Sequence, residues 1–340
     1  MSGYIISSVL KEGDVSAILR APEVIDCLVN NRPGDWAEDD LRVSRRSAKA
    51  FQVTVSEGNF IVRFPSDEGE LSRLRKEESV QKELRGKVHL KIPDTRVLEP
   101  EDFPTFAIHR MIPGQPLTSD LYVHLSPGAH DRLIMDLANF FYETHGVPLA
   151  IACKWLGIQE DEEKLAAAYG KPGWFGGETS AGMRASLATV LDAQEMKLFE
   201  EVVNLFAALP VEPGYMVFGH GDMHGFNMAI GADALGPRLV GVFDLGCTGV
   251  LDIHEDFFRL SLVSEDLLEK VIEKYQDLTG RVRTLQRDRI AIYYRAFLFY
   301  LMCELPGENP DHLKKMLQRH VEYYHNTYGS IPCRILSARF

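Results

Sequence analysis

The stretch HGDMHGFN, residues His220 to Asn227, separates the apolar YMVF (215–218) from MAIG (228–231). Two apolar runs around a connection with two glycines predict a strand, a sharp loop and a second strand. A turn rich in Gly, Asp and Pro at 232–237 then leads into RLVGVFD (238–244), so the second strand opens a hairpin that ends at Asp244-Leu245-Gly246. The loop therefore brings His220, Asp222, His224 and Asn227 to one end of a hairpin, and the hairpin's exit supplies Asp244. An Asp on a loop, an Asn five positions later and an Asp-x-Gly after a hairpin is a specific arrangement.

Outward from the loop, the chain changes character. FQVTVSEGNFIVRF (51–64) alternates apolar and polar residues around a turn-prone Glu57-Gly58-Asn59, the pattern of a hairpin with one buried face. LSRLRKEESVQKELRG (71–86) places Leu71, Leu74, Val80 and Leu84 on one helical face, with Gly86 as its stop. Ile112-Pro113-Gly114 marks a boundary. Beyond it, the segments starting at His130, Glu195, Ser264, Arg289 and His312 all show helical spacing. The aromatic stripes of AIYYRAFLFYLM (291–302) read as core. KPGWFGGETSAGM (171–183) is compatible with a substrate cap or a surface connection.

Phosphoryl transfer needs a carboxylate to orient the acceptor hydroxyl and hard oxygen ligands for Mg²⁺ on the phosphates. Asp222, Asn227 and Asp244 are groups of that kind. Taken singly, each has a plainer role: Asp222 and Asn227 as turn residues, His220 and His224 as histidines that hydrogen-bond the loop rather than a metal pair. Together they resemble the aminoglycoside phosphotransferase and choline kinase family, whose pattern is nearest here to the aminoglycoside 2″-phosphotransferases. HGDMHGFN matches the family's His-Gly-Asp-x-x-x-x-Asn, FDLG its metal-binding Asp, FFYETHGVP (140–148) its helix ending in a histidine, His145, and LDIHEDFFRL (251–260) its segment with Asp252 and Asp256.

The resemblance implies an α+β, protein-kinase-like fold with two lobes: a small antiparallel-sheet lobe over 1–108, a hinge at 109–114 and a large helical lobe over 115–340. It makes Asp222 the catalytic base and Asn227 and Asp244 the Mg²⁺ ligands. His220, His224, Gly246 and Asp256 support the site. Arg63, in NFIVRFP, takes the phosphate-gripping position where antibiotic kinases usually carry Lys, and Glu77 is its partner, with Glu78 as the neighbouring alternative. The nucleotide base falls by resemblance at His109 to Met111, which leaves ATP or GTP open as donor. The phosphate loop LRVSRRSAKAF (41–51) has no glycine. Ser44, Ser47 and a basic side chain among Arg45, Arg46 and Lys49 would have to hold phosphate there.

The acceptor is less constrained. With 340 residues, 45% of them hydrophobic, a formal charge of −12 and a pI near 5.4, the chain is a globular protein that favours cations over nucleic acid. Glu255, Glu265 and Asp266 are candidate carboxylates for a cationic amino sugar, with solvated helix faces as the alternative. The expected activity is phosphorylation of an aminoglycoside or similar amino sugar. A metabolic kinase for choline, ethanolamine, a hydroxy amino acid or a sugar, and a catalytically silent nucleotide-binding protein, are the alternatives. Five scattered cysteines without a Cys-x-x-Cys pair, no basic leader and no apolar run long enough to span a bilayer place the chain in the cytoplasm.

Overall fold

Alternation builds the first sheet: in Ala50–Val55 the side chains of Phe51, Val53 and Val55 are buried while their neighbours are half-exposed. A computed structural model describes residues 10–21, 24, 42–46, 50–55, 58–159, 162–280, 285–304 and 310–329. Along the chain come α1 (Glu12–Leu19), β1 (Arg42–Arg45), β2 (Ala50–Val55), β3 (Gly58–Arg63), α2 (Glu68–Leu84), β4 (Arg96–Leu98) and β5 (Phe106–Arg110). Helices α3 (Ser119–His124), α4 (Pro127–His145), α5 (Leu149–Leu156), α6 (Glu162–Tyr169), α7 (Gly177–Leu187) and α8 (Ala193–Ala208) follow. Strands β6 (Met216–Gly219), β7 (Met228–Asp233), β8 (Gly236–Val242) and β9 (Gly249–Asp252) then lead to α9 (Ile253–Phe258), α10 (Glu265–Leu278), α11 (Arg287–Glu304) and α12 (Pro310–Tyr328).

Two compact units result: Met1–Glu143 with Lys154–Ile158 and Gly225–Gly249, and Thr144–Cys153 with Gln159–His224 and Val250–Phe340. The first holds an antiparallel sheet in the order β1-β2-β3-β5-β4. Its core includes Phe51, Phe60, Phe106, Val53, Val62 and Ile108, and full burial of each such side chain is worth about 1.5–3 kcal/mol. Helix α2 begins at Asp67, whose side chain accepts from Glu70 N, and turns Leu71, Leu74, Glu77, Val80, Gln81 and Leu84 inward. The β7–β8 hairpin belongs to this unit because Val242 N donates to Lys91 O at 2.9 Å and Gln115 and Ile230 exchange backbone bonds at 2.9 and 2.8 Å. Ile112-Pro113-Gly114, expected at a boundary, thus lies inside the unit, and His109 sits within β5, in register with Ile61.

The second unit is helical around α11, which buries Ile290 through Phe299 all the way round and so has no solvent face there. One interior charge is paired: Arg289 Nε donates to Asp252 Oδ2 at 2.7 Å, and Tyr293 Oη donates to the same oxygen at 3.1 Å. Asp252 Oδ1 lies 2.6 Å from His254 Nδ1. The 171–183 segment is anchored by its aromatic residues. Phe175 is buried, and Trp174 packs 5.3 Å from Phe297 and 5.7 Å from Tyr300 between ring centroids.

Candidate active site

In the first unit a cleft of about 480 Å³ is lined by Arg46, Arg63, Glu77, His109, Met111, Phe226, Asn227 and Asp244 among others. Arg63 ends β3, and its Nη2 donates to Glu77 Oε2 at 2.5 Å, with Nη1 3.8 Å from Asp244 Oδ1. Glu77 is 1% exposed and takes a second bond, 2.8 Å, from Gln81 Nε2. Burial pushes its carboxyl above the ordinary range, and Arg63 opposes the rise. Asp244 follows β8 with φ 60° and ψ 60°, the left-handed region that Asp tolerates better than most residues. Its side chain is half exposed, beside Arg63. Asn227 is buried on the turn into β7, where its carbonyl accepts from Phe243 N at 3.1 Å and so ties the two ends of the hairpin. His109 is driven down to about 4 by burial and by the charge of Arg63, so it faces the cleft neutral.

These donors fit Mg²⁺. A carboxylate and an amide among the lining residues of one cleft offer hard oxygen ligands, and among the described residues no three His, Cys, Asp or Glu side chains converge as an alternative metal site. An ion held by Asp244 and Asn227 would take its remaining ligands from phosphate and water.

The other half of HGDMHGFN belongs to the second unit. Its anchor is Asp256 of α9, which is fully buried: Oδ2 accepts from His220 N at 2.9 Å and lies 3.0 Å from His145 Nε2, while Oδ1 accepts from Gly221 N at 2.6 Å. His145 Nδ1 lies 3.1 Å from Tyr275 Oη. Burial opposes the charge of Asp256, but His145, His220 and the Gly221 N–H outweigh it and hold the carboxyl below its ordinary value. Two glycines permit this. Gly221 has φ 75°, and a Cβ on Gly219 would stand 2.3 Å from Asp256 Oδ2. The loop thereby presents Asp222, 3.1 Å from Arg259 Nε and 3.6 Å from His224 Nε2. Burial raises the Asp222 carboxyl, and His224 with Arg259 brings it below the ordinary range. Glu255 accepts from Trp174 Nε1 at 3.3 Å, and burial lifts it to about 7 against the pull of Arg259.

The sequence profile of the phosphotransferase enzyme family matches residues 42–293. The chain belongs to the phosphotransferase enzyme family. Solved structures show the fold. The GDP and kanamycin complex of APH(2")-IIia is 20% identical, with a TM-score of 0.63 over 89% of this chain and 99% of that one. A macrolide 2'-phosphotransferase type I is 16% identical, with a TM-score of 0.60 over 92% and 98%. The apoenzyme of macrolide 2'-phosphotransferase MphH from Brachybacterium faecium is 16% identical, with a TM-score of 0.56 over 86% and 96%. No curated protein sequence matches the chain.

Within this phosphotransferase, the structure gathers Arg63, Glu77, His109, Met111, Asn227 and Asp244 around one cleft. Gly246 lines a smaller cavity of about 270 Å³ that shares Arg63, Glu77 and Asp244. Other candidate residues make different contacts. Ser44 faces solvent on β1, in register with Gln52, because strand pairing continues to Arg45. Arg46 instead lines the cleft, while Ser47 and Lys49 lie outside the described residues. The Arg45 backbone N–H donates to Glu12 Oε1 at 2.8 Å, and its guanidinium lies over the Phe51 ring. The Met111 N–H donates to Asn59 O at 2.8 Å, so Met111 meets the cleft with its side chain and that amide is already used. Glu265 accepts from Ser261 Oγ at 3.0 Å and lies 2.9 Å from His320 Nδ1. Asp266 is exposed and pairs with Lys270 at 2.8 Å. Both acids stand in the first turn of α10. Arg259 and Trp174 are site neighbours that one-dimensional spacing does not reveal. The Arg259 signal was a cation three residues after Asp256, at the C-cap of a six-residue helix.

Proposed function

We propose that this phosphotransferase transfers the γ-phosphate of ATP or GTP, with Mg²⁺, to a hydroxyl of an aminoglycoside or a similar cationic amino sugar. The observation that carries the reading is the single cleft around which Arg63, Glu77, Asn227 and Asp244 converge. Arg63, oriented by Glu77, grips phosphate oxygens with a planar fork of donors. The Mg²⁺ ion supplies neutralisation of charge on the transferring phosphoryl group. Arg46 adds a positive charge in place of loop glycines. Asp222 accepts the acceptor's proton, since its lowered carboxyl stays ionised at neutral pH. Positions 222 and 227 are five apart, so chain connectivity alone limits their Cα separation to about 18 Å. A silent protein would have no use for this set of base and oxygen ligands.

Glu255, with the Trp174 ring beside it, supports a cationic acceptor. The metabolic reading gains from Arg259, whose charge lowers the demand for a highly charged acceptor. Among the described residues no helix is long and apolar enough to cross a membrane, and we place the enzyme in the cytoplasm, with antibiotic resistance as its role if the acceptor is an antibiotic.

The test is Mg²⁺-dependent ADP or GDP release against a panel of aminoglycosides, amino sugars, choline, ethanolamine and hydroxy amino acids. Release stimulated by an amino sugar or aminoglycoside is the expected result; release with only a hydroxy amino acid would overturn the acceptor assignment. In the same assay Asp244→Ala should abolish the Mg²⁺ dependence of nucleotide binding, read by calorimetry with and without the metal. Equal Mg²⁺ enhancement in this variant would remove Asp244 from the metal site. A pH effect follows from Glu255. Above pH 7 its carboxylate attracts an ammonium; below, the neutral acid does not. The KM for a cationic acceptor should therefore rise as pH falls from 8 to 6, by up to about tenfold per unit below the transition. Glu255→Gln should flatten that rise, and an unchanged profile would exclude Glu255 from acceptor binding.

A further inference from the structure

The second unit carries a cation of its own beside the base. Arg259 is 5% exposed, and its guanidinium lies 4.5 Å from the Phe258 ring centroid and 4.9 Å from that of Phe297. Two aromatic faces thus fix the plane of the fork. Its Nε stands 3.1 Å from Asp222 Oδ1, yet the angle forms no hydrogen bond, and Nε is left without a partner. Its Nη1 donates to the Glu255 carbonyl at 3.4 Å. One buried guanidinium therefore touches both residues assigned to the acceptor side. A buried charge whose Nε–H has no hydrogen bond is costly to retain for packing alone.

Consider what an acceptor meets there. A polyamine is held by carboxylates that outnumber nearby cations, because each desolvated ammonium needs its own counter-charge. Glu265 and Asp266 already have His320 and Lys270 as partners. Of the four candidate carboxylates that leaves Asp222 and Glu255; Arg259 lies 3.1 Å from the first, with His224 at 3.6 Å, and the second accepts from Trp174 Nε1.

We propose that Arg259 is the specificity-determining residue of the acceptor side: a built-in cation that occupies the place of an ammonium beside Asp222 and restricts acceptors to those with one amino group, bound at Glu255 and Trp174. The inference rests on Asp222 being the base, and it narrows the proposed function within the amino sugars. An acceptor with a second ammonium next to the reacting hydroxyl meets like charge; one with a hydroxyl there does not.

The experiment compares a neutral glycoside, a glycoside with one amino group and the polyamine kanamycin. It measures kcat/KM by nucleotide release and affinity by calorimetry. The wild-type enzyme should favour the monoamine over kanamycin by about tenfold or more, the size of one uncompensated charge contact. Arg259→Met, which keeps an apolar stem between the two rings, should shift the ratio toward kanamycin by a similar factor. Arg259→Lys should keep the wild-type ratio. A merely structural arginine would lower all three acceptors alike, and that outcome overturns the inference. So does a wild-type preference for kanamycin, a result that needs no variant to fold, or failure of both amino compounds to bind. Asp222→Asn separates the two layers: retained turnover in that variant defeats the base assignment, whereas lost turnover with an unshifted Arg259→Met ratio defeats only the charge filter.

Discussion

Asp222→Asn is expected to lose about 10²–10⁴-fold in kcat, the usual worth of a positioned general base. Nucleotide affinity should stay within about twofold of wild type, because the residues that line the cleft belong to the first unit and do not include position 222. The substitution keeps the side chain's shape and removes the charge that lies 3.1 Å from Arg259 Nε. Some loss of stability accompanies it, since a buried guanidinium then lacks its counter-ion. Thermal melting and calorimetric nucleotide binding distinguish that loss from a loss of chemistry. Full turnover in a folded Asp222→Asn enzyme would show that the base lies elsewhere.

The largest stability effect is expected at Asp256. Asp256→Ala strips the acceptor from His220 N, Gly221 N and His145 together, and leaves buried donors unsatisfied. Removing one partner from such a buried network costs about 3–5 kcal/mol. The melting temperature should fall on the order of 10 °C. Activity of the folded fraction should fall as well, because the same bonds shape the backbone that precedes Asp222. The pH dependence has a definite sign. The folded Asp256 carboxyl titrates below its unfolded value, so its contribution is fully present above the unfolded pKa of 3.8 and is lost as pH falls through the lower folded value. In acid melts the wild-type advantage over Asp256→Ala should shrink. A constant difference down to the acid limit would mean that the carboxylate's charge does not stabilise the loop.

Periodicity made much of the fold legible. Alternation in 51–64 identified β2 and β3, and apolar spacing located α2, α4, α8, α10, α11 and α12 to within a few residues. Short helices such as α3, α5, α6 and α9 run six to eight residues and carry too few turns to display a period. Glycine-rich 171–183 looked like a connection because local propensity favours one, but Trp174 and Phe175 gain more by packing into an aromatic cluster.

At the site, the dividing line is chain distance. HGDMHGFN and FDLG encode which groups exist and their order, since turn chemistry and short spacing are local. So the sequence alone determined a loop with Asp222 and Asn227, a hairpin and Asp244 at its exit. It also specified Arg63 and Glu77 as a strand residue and a helix residue. What only the tertiary structure decided is who neutralises whom. Asp256 braces the loop from a position thirty-six residues after His220, and Glu265 turns to His320. Arg259 comes to rest against Asp222. Burial and Coulomb attraction act through space and fall off within a few ångströms, so charge partners far apart in the chain are chosen by packing, and no spacing rule along the sequence can name them.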